Sequence, residues 1–151
     1  MFRWTLLLGL LLACNTYATD DDKIIKDMAR TSSLSEAQIR AYYKTGCDSG
    51  DYVPMLVCAT FRYLSADLEL NEKFKALLGQ LTTKPAKSSL IKAQKAWIPF
   101  RDATCEYETE GNGGRFWSVH NLGCLITVTE ERVGKLKQYL ECKTPGCPGE
   151  W

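Results

Sequence analysis

Between Tyr52 and Leu81 the apolar positions Leu56, Tyr63, Ala66, Leu70, Phe74, Leu77 and Leu81 recur at steps of three, four or seven residues, which is one face of an α-helix. The pattern predicts about eight turns, or roughly 45 Å of helix. Thr82 to Pro85 interrupts it, and Pro85 stands where a second helix can begin, because the first turn makes no use of the missing N–H. That second helix carries two adjacent stripes. Leu90, Ala93, Trp97, Phe100 and Thr104 form the apolar one, and Ile91, Gln94, Ile98, Arg101 and Cys105 a half-polar one. Pro99 lies inside this helix, where the lost hydrogen bond and the ring clash cost about 3 kcal/mol unless the helix bends, so a kink is expected between Lys95 and Pro99. Leu122, Leu125, Thr129, Val133, Leu136 and Leu140 predict a third long helix.

Two short helices are predicted ahead of these. Asp20, Asp21 and Asp22 place negative charge before Lys23 to Arg30, which suits the positive end of a helix dipole. Ser33 with Glu36 reads as a capping box ahead of Leu34, Ala37, Ile39, Ala41 and Tyr42, with Gly46 as the stop. No segment alternates in the manner of a strand between hairpin turns. The expected fold is therefore all-α: three long antiparallel helices in a bundle, with one or two short N-terminal helices laid against them.

The 151 residues are 45% hydrophobic and 25% charged, which fits one globular domain. Nineteen Lys and Arg against eighteen Asp and Glu give no basic excess, so nucleic acid is not an expected partner. After Arg3, the apolar run from Trp4 to Ala13 is too short for a membrane span and reads as a secretory signal. Two cleavage readings are open. One removes residues 1–18 after Thr16-Tyr17-Ala18. The other removes 1–13 and lipidates Cys14, which would give an outer-membrane lipoprotein. The domains expected beyond are an N-terminal helical extension over 19–46 and a helical domain over 47–151, in the periplasm. No transmembrane segment is expected, and membrane anchoring only through Cys14.

Either reading leaves six of the seven cysteines, an even number suited to disulfides in an oxidising compartment, with 15 connectivities available. Zinc would need CxxC-like pairs or interleaved histidines, whereas Cys142 and Cys147 are the closest pair and His120 is the only histidine. No metal and no cofactor are expected.

Three stretches carry a family resemblance. The first is Met55-x-x-Cys58 with Tyr63, Ala66-Asp67-x-Glu69-Leu70-Asn71 and Phe74. The second is Leu90-x-x-Ala93-Gln94-x-x-Trp97-x-x-Phe100-Arg101-Asp102-x-x-Cys105-Glu106, and the third Cys124, Thr129, Arg132 and Leu136. From Cys47 to about Leu140 the chain resembles the LprI-like lysozyme inhibitor family of secreted bacterial proteins. The resemblance implies an exported helical domain with disulfides, and lysozyme inhibition for the member that gives the family its name. Pro99 and the long extension before Cys47 depart from the usual pattern.

Gln94 and Arg101, seven residues apart, point the same way beside Trp97, while Asp67 and Asn71 flank the neighbouring stripe. Arg101 is expected to cross to Asp67 or Asn71, since a guanidinium near a core needs a partner. On this reading Asp67, Asn71, Gln94, Trp97, Arg101, Asp102 and Arg132 are structural. The alternative makes Gln94, Trp97 and Arg101 an external binding site. Cys142 and Cys147 flank a turn-rich loop, Cys47 and Cys58 bracket the entrance of the first long helix, and Cys105 and Cys124 bracket the loop between the other two. Three sequential disulfides are predicted, each worth about 2–4 kcal/mol.

Partner recognition is expected in Glu110 to His120, where glycines allow close approach and Arg115, Phe116, Trp117 and His120 are able to anchor an interface. The alternative is that Phe116 and Trp117 start the last helix and pack inward, with His120 covering the core edge. The leading functional expectation is a non-enzymatic periplasmic protein that binds lysozyme or another peptidoglycan hydrolase and occludes its cleft. An immunity protein against a cell-wall-degrading toxin and an envelope structural or stress factor are the alternatives. Catalysis is not expected: no nucleophile-and-base set is apparent, and Glu106, Glu108 and Glu110 read as a solvated helix end.

Overall fold

Asp20, Asp21 and Asp22 occupy the first turn of helix α1 (Asp20–Thr31), which turns Ile24, Ile25 and Met28 inward. The computed structural model describes residues 20–110, 113–144 and 146–148; the expected signal segment, with the Ala18 cleavage site and Cys14, lies outside them. Helix α2 (Glu36–Thr45) starts at a different cap from the expected one. Ser35, not Ser33, is the N-cap: its hydroxyl accepts from the Gln38 N–H at 3.3 Å, and Gln38 Oε1 accepts from the Ser35 N–H at 2.9 Å. The shift places Leu34 just before the cap, where it packs on the cluster containing Ile39 at the fourth helical position, a hydrophobic staple that a cap at Ser33 would not allow.

Gly46 closes α2. A Cβ there would lie 2.6 Å from Pro54 Cβ and 2.8 Å from the Pro54 carbonyl oxygen, so the glycine lets the next helix start directly against it. The long helices follow as α3 (Tyr52–Gln80), α4 (Lys84–Thr109) and α5 (Trp117–Glu141). Thr83 caps α4 by accepting from the Ala86 N–H at 3.3 Å, and Pro85 sits in the first turn. Helix α4 continues through Pro99, which lies on the exposed side with Lys95.

Contacts between ends fix the topology. Leu77 and Leu81 share a hollow with Leu90 and Ala93, and Asp67 meets Arg101, so α4 runs back along α3. Cys105 joins Cys124 and Gln94 meets Arg132, so α5 turns again, while Tyr52–Phe116 and Glu69–Lys137 pairs show it parallel to α3. The long helices thus form an up-down-up bundle in which α5 packs against both α3 and α4.

Two apolar clusters are strung along α3. Ile24, Ile25, Met28, Ile39, Val57 and Phe61 bury the short helices against its first half. Leu70, Leu77, Val133 and Leu136, with Phe74, Leu90 and Trp97, fill the bundle along its second half. On α4 the expected facing is partly reversed. Gln94, Arg101 and Cys105 of the half-polar stripe are buried, whereas Phe100 of the apolar stripe is 62% exposed. The reason is that polar partners for Gln94 and Arg101 lie on α3 and α5, and burial without them would leave desolvated groups.

The disulfides join Cys47 to Cys58, Cys105 to Cys124 and Cys142 to Cys147, with Cα separations of 5.3, 5.5 and 5.8 Å. This sequential pairing staples the start of α3, the α4–α5 turn and the tail. It fits an extracytoplasmic location, where such bonds persist. Among the described residues no helix is long and apolar enough to cross a membrane, and no cluster of three or more His, Cys, Asp or Glu is placed to hold a metal.

Candidate functional site

The motif residues converge on a buried cation. Arg101, 6% exposed, donates through Nε to Asp102 Oδ1 at 2.8 Å, and its Nη2 reaches the same oxygen at 2.8 Å. Nη1 lies 3.5 Å from both Asp67 Oδ1 on α3 and Thr129 Oγ1 on α5. The guanidinium also stands 5.3 Å from the Trp97 ring centroid and 5.6 Å from that of Tyr63. One residue on α4 is thereby tied to both neighbouring helices.

Electrostatics explain how the charge is kept. Burial disfavours the Arg101 cation, but the Asp102 hydrogen bond, with Tyr63 and Asp67 nearby, more than compensates and raises its proton affinity above the ordinary level. Burial likewise pushes the Tyr63 hydroxyl above its usual pKa of 10.0; Arg101 opposes that shift, and Asp67 and Asp102 reinforce it.

Asn71 does not reach Arg101. It donates through Nδ2 to the Asp67 carbonyl at 2.8 Å and to Asp67 Oδ2 at 3.0 Å, so it fixes the carboxylate that does. Gln94 Oε1 accepts from Arg132 Nε at 3.1 Å, and the Arg132 guanidinium lies 5.8 Å from the Trp97 ring. Burial lowers the proton affinity of Arg132. Trp97 therefore takes a guanidinium from its own helix and another from α5. Thr129 and Tyr63 were not foreseen as partners of Arg101. A hydroxyl within the otherwise aliphatic stripe of α5 was the available signal.

The predicted recognition residues gather where α4 turns into α5, and of them Arg115, Trp117 and His120 are exposed while Phe116 is partly buried. Gly114 takes φ +98°, a conformation that favours glycine, and its carbonyl accepts from the Trp117 N–H at 3.2 Å. Phe116 precedes the first helical turn and meets Tyr52 of α3 edge to face at 5.6 Å between centroids. The Arg115 guanidinium lies 5.7 Å from the same Tyr52 ring, over a hollow bordered by Tyr42, Asp51, Val53 and Pro54. Trp117 does start α5, but it remains 39% exposed, and His120 is exposed too. Gly111 and Asn112 of the expected segment lie outside the described residues.

Thus the Arg101 side chain is buried and crosslinks three helices, whereas Arg115, Trp117 and His120 face outward beside the Cys105–Cys124 bond. Tyr52, which holds Phe116 and Arg115, was missed as a site residue because its partners are more than sixty positions away in the chain.

The chain is 35% identical over 98 residues to "Uncharacterized protein R02472" of Rhizobium meliloti (strain 1021), covering 56% of this chain and 70% of that one. It is 23% identical over 154 residues to "Uncharacterized protein YecT" of Escherichia coli (strain K12), covering 92% of this chain and 91% of that one. No solved structure matches. The model of the family described as "Lysozyme inhibitor LprI" matches residues 47–136, a stretch that opens at the first bridged cysteine and ends in the core of α5 at Leu136. The chain belongs to the LprI lysozyme inhibitor family.

Proposed function

We propose that this protein is an exported, non-enzymatic inhibitor of lysozyme or a related peptidoglycan hydrolase, which acts by placing the α4–α5 turn in the enzyme's cleft. Residues 1–18 direct it to the periplasm, or residues 1–13 do so with Cys14 as a lipid anchor; the helical domain over 47–151 carries the activity and 19–46 extends it.

The observation that carries the reading is the outward presentation of Arg115, Trp117 and His120 from a turn tied at its base by the Cys105–Cys124 bond. Arg and Trp are the side chains that anchor protein interfaces, and a tethered turn loses little conformational freedom on docking. A lysozyme cleft holds a pair of carboxylates, so Arg115 or His120 would pair with them while Trp117 filled a sugar subsite. The cluster of Asp67, Asn71, Gln94, Trp97, Arg101, Asp102 and Arg132, built round the buried Arg101 and Gln94, serves as the rigid support.

Titration of the oxidised protein against several lysozyme types tests this. Inhibition of at least one type, weakened by Arg115→Ala and Trp117→Ala without loss of helicity, is expected. Absence of inhibition of every type would remove the reading.

A further inference from the structure

Helix α4 has a second apolar stripe that faces away from the bundle. Ala96, Phe100, Ala103 and Tyr107 follow one another at steps of four, three and four, and all are exposed, Phe100 by 62% and Tyr107 by 79%. An outward line of this kind on a helix that buries Gln94 and Arg101 is not needed for the core. At its lower end Ala103, Tyr107 and Trp117 border a concavity of about 350 Å³ whose remaining walls are Glu106 and Glu110. The aromatic face is thus continuous with the α4–α5 turn through Trp117.

The carboxylates say what kind of surface fits there. Glu106, Glu108 and Glu110 stand at the C-terminal end of α4, where the helix dipole is already negative, and no basic residue occupies the last turn. Among the described residues, neither Glu106 nor Glu110 is paired with a cation or bonded to the N-terminus of α5. Negative charge is therefore held at some cost to the helix, beside two exposed aromatic faces. Guanidinium and ammonium groups are attracted by both features at once.

We propose that the face formed by Phe100, Tyr107, Glu106 and Glu110, next to Trp117, docks a basic loop of the inhibited hydrolase, with its Arg or Lys side chains over Tyr107 and paired with the two carboxylates. This deepens the inhibitor reading and rests on it. Arg115 and His120 would meet the acidic floor of the cleft while this face meets a basic rim, so the two charges of the α4–α5 end have separate counterparts. The nearly balanced total charge of the chain then matters little, since complementarity is local.

The test compares the oxidised wild type with Glu106→Gln/Glu110→Gln and with Tyr107→Ala, by calorimetric binding to a lysozyme panel at low and physiological salt, alongside the lysis assay and thermal melts. Each variant is expected to bind about tenfold more weakly, with the double variant losing much of the salt dependence. The double variant should melt at the same or a higher temperature, because removing these charges relieves the helix end. Unchanged affinity in a variant of an active inhibitor would overturn this face and leave the inhibitor reading standing. Salt-sensitive binding that the double variant loses, without inhibition by the wild type, would support the face and sink the cleft mechanism. No binding to any lysozyme would overturn both. A lower melting temperature in the double variant, or capture of a soluble chitooligosaccharide in place of the enzyme, would also overturn the proposal.

Discussion

Gln94 on α4 and Arg132 on α5 are joined by a single hydrogen bond of 3.1 Å, made beside the Trp97 ring. The pair sits about two turns along α4 from Arg101, so α4 is pinned at two heights by polar contacts. If the two side chains act through each other, a double-mutant cycle of Gln94→Ala and Arg132→Ala should show a coupling of about 1 kcal/mol in chemical denaturation. Simple additivity would mean that each is held by its other neighbours alone.

Arg101 and its carboxylates should differ in what their removal costs. The Arg101 side chain is 7% exposed, against 38% for Asp67 and 54% for Asp102. Removing both carboxylates leaves a buried cation without a counter-charge, whereas removing the cation leaves carboxylates that water still reaches. Asp67→Ala/Asp102→Ala is expected to cost about 3–5 kcal/mol and Arg101→Met about 2 kcal/mol. Urea titrations of the two variants give the comparison, and an equal or inverted order would contradict it.

The Cys105–Cys124 bond closes a loop of 19 residues and should contribute about 3 kcal/mol through the unfolded chain. Cys105→Ser/Cys124→Ser should therefore lower the melting temperature more than Cys142→Ser/Cys147→Ser, whose bond closes a separation of only five. Inhibition should fall in the first variant and persist in the second, because only the first bond borders the α4–α5 turn.

Tyr63 gives an alkaline signature. Its pKa in the folded protein is above the 10.0 of a free phenol, so its contribution to stability is complete below about pH 10. That contribution is lost as pH rises through the folded value. Absorbance titration of the phenolate band should show a late ionisation step that Tyr63→Phe removes. A titration identical in wild type and variant would refute the assignment.

The helix limits could be read from the chain because apolar side chains recurring at helical steps must share a face, and Pro85, Gly46 and the acidic first turn mark the ends. Which face of α4 turns inward could not. Its two stripes are adjacent, and the choice depends on polar partners, Asp67 and Thr129 for Arg101 and Arg132 for Gln94, supplied by other helices. The same limit applies at the α4–α5 turn. Arg115, Phe116, Trp117 and His120 stood out by residue type, but the role of Tyr52 as their support depends on a contact between distant parts of the chain. The capping box was displaced by two residues because Ser33 and Ser35 each have a suitable residue three positions on, and only the packing of Leu34 separates them.

Tyr42 of α2 borders the same hollow as Tyr52 and Arg115. Helix α2 consequently forms a shoulder beside the turn, and on the proposed inhibitor reading an enzyme approaching from that side must clear it. Selectivity among hydrolases of similar cleft would then come partly from steric clearance, and a shaved version of that shoulder would be the more permissive binder.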